Sequence, residues 1–245
     1  MAGHSKWANI KHRKAAQDAK KGKVFTKIAK ELTVAAKIGG SDPEMNPRLR
    51  VALDKAKSAN MPKDNVERAI KKGTGEGNDT IYYEVTYEGY GPGGAAILVN
   101  ALTDNKNRTV AEVRSTLAKR GGSMGEAGCV AWLFEKKGVI NVKKELINEE
   151  EIMELAIEAG AEDVEISDDG YEIISEPENY YTIKDVLENK NIEIEYSEIT
   201  MRPKTTVELK GEDAKKAVAL VEALEDLDDV QEVYTNFDVD ESELE

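Results

Sequence analysis

The sequence predicts an α+β multidomain protein: an all-α helical N-terminal domain, then two α/β domains, one inserted in the other. Three observations predict it. Apolar residues recur at helical spacing through residues 1–77, the Gly-rich polar stretch GTGEGNDT (Gly73 to Thr80) breaks the chain, and strand and helix patterns follow it to the end. At 245 residues, with 40 % apolar and 33 % charged side chains, the chain is long enough for two or three cores under a heavily charged surface.

The first domain is predicted over 1–78. From Val24 to Ile38, Phe25, Ile28, Leu32, Ala35 and Ala36 fall on one side of a helix that Gly39–Gly40 ends. Asn46 before Pro47 reads as an N-cap with proline in the first turn, opening a helix through Leu49, Leu53 and Ala56. After Met61–Pro62 a short helix carries Val66, Ala69 and Ile70 to Gly73. Beyond the Gly-rich break, IYYEVTYE and AAILVNALT read as strands joined by GYGPGG. NRTVAEVRSTLAKRGG is a helix from Asn107 to about Lys119, and CVAWLFEKK is a third strand in which burial accounts for Trp132 and Phe134.

Residues 138–202 give strand (VINV), helix (EEEIMELAIEAG), two strands (DVEIS, YEIIS) turning at Asp168–Asp169–Gly170, helix (YTIKDVLENKN) and strand (IEIEYSEI). That βαββαβ order is a complete ferredoxin-like unit. TTVELK, EDAKKAVALVEALED and VQEVYTNF make a further βαβ with too few strands to stand alone. The economical arrangement is that 138–202 is an inserted acidic domain and that 203–238 completes the sheet begun in 79–137, as a second ferredoxin-like domain. An acidic tail at 239–245 is expected to fray.

Charge follows the same divisions. Residues 1–77 hold 18 Lys+Arg and 8 Asp+Glu, residues 78–137 hold 7 of each, and residues 138–245 hold 9 against 33. So divided a chain points to a polyanion met head first by its basic end, with the acidic domains left for protein partners. The longest strongly apolar run, AAILV, is far too short to cross a membrane, and the basic N-terminus has no apolar segment after it, so the cytoplasm is expected.

Catalytic and cofactor patterns are scarce. One cysteine, Cys129, rules out an internal disulfide and a Cys-based zinc site, and reads as a small core residue. The two histidines, His4 and His12, lie in the basic head with no metal spacing. GYGPGG (Gly89 to Gly94) matches G-x-G-x-x-G in letters, but the fingerprint needs a helix N-terminus after the loop and here a strand follows, so a hairpin loop is expected. GGSMGEAG (Gly121 to Gly128) also leads into a strand. No enzyme and no cofactor are predicted.

The basic head is the candidate site. Lys23, Lys27, Lys30 and Lys37 fall within about 80° of one another on the first strong helix, opposite its apolar face. A solvated surface would show the same stripe. Before it, Lys11, Arg13, Lys14, Lys20 and Lys21 point nearly all ways around a helix, with only Trp7, Ile10 and alanines to pack. Such a segment repels itself, and its charge becomes favourable beside phosphates, which release condensed counterions when neutralised. Trp7 and His12 could stack on exposed bases, although Trp7 could equally pack on the core of the head. The ferredoxin-like units lack the basic, aromatic RNP-type run through which related sheets bind RNA.

The opening MAGHSKWANIKHRKAAQDAKKGKVFTKIAKEL, with PRLRVALDKAKSANMPKDNVERAIKKG, YEGYGPGGAAILV, DNKNRTVAEVRSTLAKRGGSMGEAGCVAWLFEKKG and the final βαβ, closely resembles the YebC family over essentially the whole chain. The resemblance implies an all-α first domain, two α/β domains and a cytoplasmic protein usually labelled a probable transcriptional regulator that binds DNA. The family also includes a mitochondrial translational activator and bacterial proteins that act on translating ribosomes. Lys6, Lys11, Arg13, Lys14, Lys20, Lys21, Lys23 and Lys27 match its opening motif, and no catalytic residue is carried over. The expected function is a non-enzymatic nucleic-acid-binding regulator, with DNA favoured by the family label and ribosomal or transfer RNA as the rival. No confident helix-turn-helix with base-reading side chains is present.

Overall fold

The computed structural model describes residues 6–7, 10–11, 21–75, 80–167 and 170–244. Their contacts divide the chain into two compact units. One comprises Met1–Arg13, Ala131–Lys210 and Tyr234–Glu245, the other Lys14–Val130 and Gly211–Val233.

In the second unit, α1 (Lys21–Gly39), α2 (Pro47–Ser58) and α3 (Lys63–Gly73) form a helical head. Leu32 and Ala35 of α1, Leu49, Ala52 and Ala56 of α2 and Ala69 of α3 make its core, with Ile28, Leu53, Val66 and Ile70 at the edge. Alanine supplies most of these contacts, so the helices can approach closely. The start of α2 is as expected: Asn46 Oδ1 accepts from the Leu49 amide at 3.1 Å, and Pro47 occupies the first turn. The other end of that side chain donates to the carbonyls of Ala35 and Gly40, both at 2.8 Å, tying the end of α1 to the start of α2.

The same unit carries β1 (Tyr83–Tyr90), β2 (Ala96–Thr103), α4 (Lys106–Lys119) and β3 (Ser123–Met124). It also holds α7 (Gly211–Glu225) and the start of β9 (Val230–Thr235). The sheet order is β3-β1-β2-β9. Strands β1 and β2 pair antiparallel from Tyr83↔Thr103 to Tyr90↔Ala96 around a 3-10 turn at Pro92–Gly94, so GYGPGG is a hairpin loop. Its amides are used internally: Gly91 N bonds Ala95 O at 2.7 Å and Gly94 N bonds Gly91 O at 3.1 Å.

The first unit contains β4 (Phe134–Lys143), α5 (Glu149–Glu158), β5 (Asp163–Ile166), β6 (Gly170–Ser175), α6 (Tyr180–Asn189) and β7 (Ile194–Pro203). Its sheet runs β5-β6-β4-β7, every pairing antiparallel, over a core of Ile140, Val142, Ile152, Tyr171, Ile173, Ile183 and Leu187. This is the strand order of a βαββαβ unit. The other sheet repeats that order with one change: its second place, the one β6 holds in this sheet, is filled by β1, which precedes the other strands in the chain. Residues 168–169, in the expected turn, lie outside the described residues.

Four expectations are corrected. CVAWLFEKK is no third strand of the first sheet. Ala131–Leu133 is a 3-10 turn, Trp132 is 66 % exposed while Phe134 is buried, and β4 runs unbroken through Gly138 into VINV as part of the other sheet. Gly138 is a close approach and not a breaker, since a β-carbon there would sit 2.7 Å from Ser175 Oγ and 2.8 Å from Tyr180 Cβ. TTVELK does not complete the first sheet, because β8 (Val207–Glu208) pairs in parallel with β10 (Phe237–Asp238). The described tail is ordered: Val239 is fully buried, and Asp240 caps a 3-10 turn at Glu241–Glu243.

Candidate nucleic-acid interface

Lys23, Lys27 and Lys30 lie on one side of α1, as their spacing requires. All three already hold partners in the turn after α7. Helix α7 ends at Glu225 in the sequence DLDD, with neither Gly nor Asn to cap its last carbonyls. Backbone amides of Asp226 and Leu227 take the carbonyls of Glu222 and Leu224, Lys27 caps that of Glu225, and Lys23 and Lys30 bond the turn that follows. Lys23 Nζ donates to Asp226 O and pairs with Asp226 Oδ1, both at 3.0 Å, and Lys27 Nζ donates to Glu225 O. Lys30 Nζ reaches Asp228 O at 3.0 Å and Asp229 Oδ1 at 2.9 Å. Cations at the C-terminal end of a helix meet its negative dipole end, so the pairing is favourable. Burial pulls the Lys27 ammonium below its ordinary pKa, only partly offset by Glu225, Asp226 and Asp228.

Asp229 is the centre of this arrangement. It is 3 % exposed, accepts from Arg108 Nη2 at 2.5 Å and Thr109 Oγ1 at 2.9 Å, and pairs with Lys30. Burial alone would raise its pKa, but the bonds from Arg108, Lys30 and Thr109 outweigh it and hold the carboxyl at about 2. Lys37 makes one long contact, to Thr80 O at 3.4 Å.

The remaining sites separate. Lys6 pairs with Asp240 at 2.7 Å, and that hydrogen bond, ahead of the bare charge, raises its pKa. Trp7 is 5 % exposed, its ring 5.3 Å from that of Phe237, and its amide donates to Asp238 Oδ1 at 2.9 Å. Its faces are therefore covered in this conformation. Trp7 packs, but the ring beside it is Phe237, where the sequence suggests the core of the head. Lys11 is half-buried, and Lys21 opens α1 with only its backbone described. His12, Arg13, Lys14 and Lys20 lie outside the described residues.

Sequence reasoning missed a second basic set. Arg68, Lys71 and Lys72 of α3 are exposed, share one side of the helix at i, i+3 and i+4, and form no ion pair with another described residue. The spacing in VERAIKKG was the available signal. In the acidic unit, the sheet face away from α5 and α6 is not a base-stacking platform. By register Asn141, Glu172 and Glu165 share it, Arg202 pairs with Glu165 at 2.5 Å, and Tyr196 donates to Glu172 at 3.4 Å. Among the described residues no group of His, Cys, Asp and Glu could hold a metal ion, and no helix is long and apolar enough to cross a membrane.

Comparison with known proteins agrees with this architecture. Residues 5–76 match the TACO1/YebC N-terminal domain, and residues 82–237 match the TACO1/YebC second and third domain. A probable transcriptional regulatory protein of Dictyoglomus turgidum is 57 % identical over 98 % of this chain and 96 % of its own. One of the same description from Natranaerobius thermophilus is 56 % identical over 100 % of this chain and 99 % of its own. The crystal structure of a conserved hypothetical protein, Aq1575 from Aquifex aeolicus, superposes with a TM-score of 0.80 at 49 % identity, covering 93 % of this chain and 94 % of that one. With both parts of the family pattern matched and relatives alike from end to end, this chain belongs to the TACO1/YebC family.

Proposed function

We propose that this protein is a non-enzymatic, cytoplasmic regulator of gene expression that binds nucleic acid through its helical head, with DNA as the first target. The charge of that head carries the reading: 18 Lys+Arg against 8 acids over residues 1–77, with Arg68, Lys71 and Lys72 exposed along α3. The printed description of the relatives, probable transcriptional regulatory protein, supports transcription as the process. Lys11, Arg13, Lys14, Lys20 and Lys21 add phosphate contacts, and the acidic domains are left for protein partners. A translation factor that binds ribosomal or transfer RNA is the second reading. It is favoured by the lack, in the sequence, of a confident helix-turn-helix with base-reading side chains, since lysine-rich charge positions a protein on phosphates without specifying bases.

Salt dependence of binding tests the shared part. Exchanging Lys11, Arg13, Lys14, Lys20 and Lys21 for Gln lowers the slope of log K against log salt on duplex DNA by roughly 4–5, and exchanging Arg68, Lys71 and Lys72 lowers it by roughly 3. Slopes unchanged in both variants would remove the head as the binding surface. Ultraviolet crosslinking in cells then separates the targets: promoter DNA supports the first reading, and discrete ribosomal or transfer RNA positions the second.

A further inference from the structure

Three of the four lysines that spacing singles out on α1, Lys23, Lys27 and Lys30, are occupied from within the chain. Their partners are backbone carbonyls and carboxylates crowded into five residues, Glu225 to Asp229, which carry four acids around Leu227. That turn offers the row of lysines acceptor oxygens at successive positions, as a phosphate backbone would, but only those of Asp226 and Asp229 are anionic and the other three are carbonyls.

We infer that the acidic turn Glu225–Asp229 is an internal competitor for nucleic-acid phosphates, holding the Lys23–Lys27–Lys30 face until a polyanion displaces it. The inference rests on the nucleic-acid reading above and adds a gate to it. Three observations support displacement. An open cleft of about 700 Å³ is lined by the cations Lys23, Lys27, Lys30 and Arg108 and by the acids Asp104, Glu112, Asp226, Asp228 and Asp229, so the ammonium groups are reached from solvent past carboxylates that an incoming anion must displace. Lys23 and Asp226 each keep nearly half of their side-chain surface in water, where an ion pair is worth little and salt screens it. Lys27 is dehydrated against a carbonyl, which carries less charge than a phosphate oxygen would. Asp229 is excluded from the moving part, since Arg108, Thr109 and Thr103 also hold it.

The test uses the full chain and a labelled DNA duplex. Replacing Asp226→Asn and Asp228→Asn weakens the competitor and leaves Asp229 in place. The expected result is about tenfold tighter binding at low salt and a slope steeper by roughly 1–2. A control with the same charge change on exposed residues of the same unit, Glu126→Gln with Asp213→Asn, gives less than about a threefold gain, the effect of net charge alone. Adding Lys23→Gln to the turn variant removes most of its gain and costs the parent protein little. If the double turn variant melts early, Asp226→Asn alone, set against Glu126→Gln alone, reads the same effect at about threefold over that control. A turn variant indistinguishable from the control, while the parent binds, overturns the gate and leaves the nucleic-acid reading standing. No binding by any form overturns both.

Discussion

Asp229 keeps its negative charge at 3 % exposure because donors from three segments surround it: Lys30 of α1, Thr103 at the end of β2, and Arg108 and Thr109 of α4. A buried charge is tolerated only when its lone pairs are filled, and removing one member strands the others. Asp229→Asn is therefore expected to destabilise the protein by about 3 kcal/mol in urea titration, through loss of the pairs with Lys30 and Arg108. The same group sets an acid limit. Its folded pKa lies at about 2, below the ordinary 3.8, so its stabilisation is complete above about pH 4 and is lost as pH falls through the folded value. Melting temperature against pH should show an acid-side fall over that window in the parent and a shallower one in the variant. None of this was legible in LEDLDD, which reads as a solvated acidic turn, because the partners lie about 120 to 200 residues away.

Among the elements, the head was the most legible because its signals are local. Asn46–Pro47 announced a helix start, and α1 buries Leu32, Ala35 and Ala36 on the expected side. Close packing was less visible. Gly73 ends α3 where a β-carbon would clash with the Thr33 carbonyl oxygen and the Ala36 methyl, both on α1. Gly73→Ala should therefore cost about 2 kcal/mol by overpacking, measured by thermal melt, whereas an alanine at a mere helix end would be nearly neutral or stabilising. Gly138 misled in the opposite direction. Glycine is read as punctuation, but here it lets β4 continue past the side chains of Ser175 and Tyr180, so two segments read as separate strands are one.

At the scale of the whole molecule, charge is partitioned along the chain: basic residues dominate through residue 77, and acids dominate beyond 137. A polyanion is repelled by the acidic part and attracted by the head. Hydrogen exchange with and without duplex DNA should then slow amides in 21–75 and leave 138–202 unchanged. Slowing confined to 138–202 would move the contact away from the lysines. By itself, the amino-acid sequence determined the α+β class, the helices, the order of the βαββαβ unit and the basic head, since all of these follow from periodicity, capping and composition, which are properties of neighbours. Only the tertiary structure decided which cations have partners. It set Lys23, Lys27 and Lys30 against the Glu225–Asp229 turn, buried Trp7 against Phe237 although Trp7 and Asp238 are 231 residues apart, and left Arg68, Lys71 and Lys72 exposed. The physical reason is that a helix's spacing fixes only the direction in which a side chain points, whereas its partner is set by whichever distant segment folds against that face.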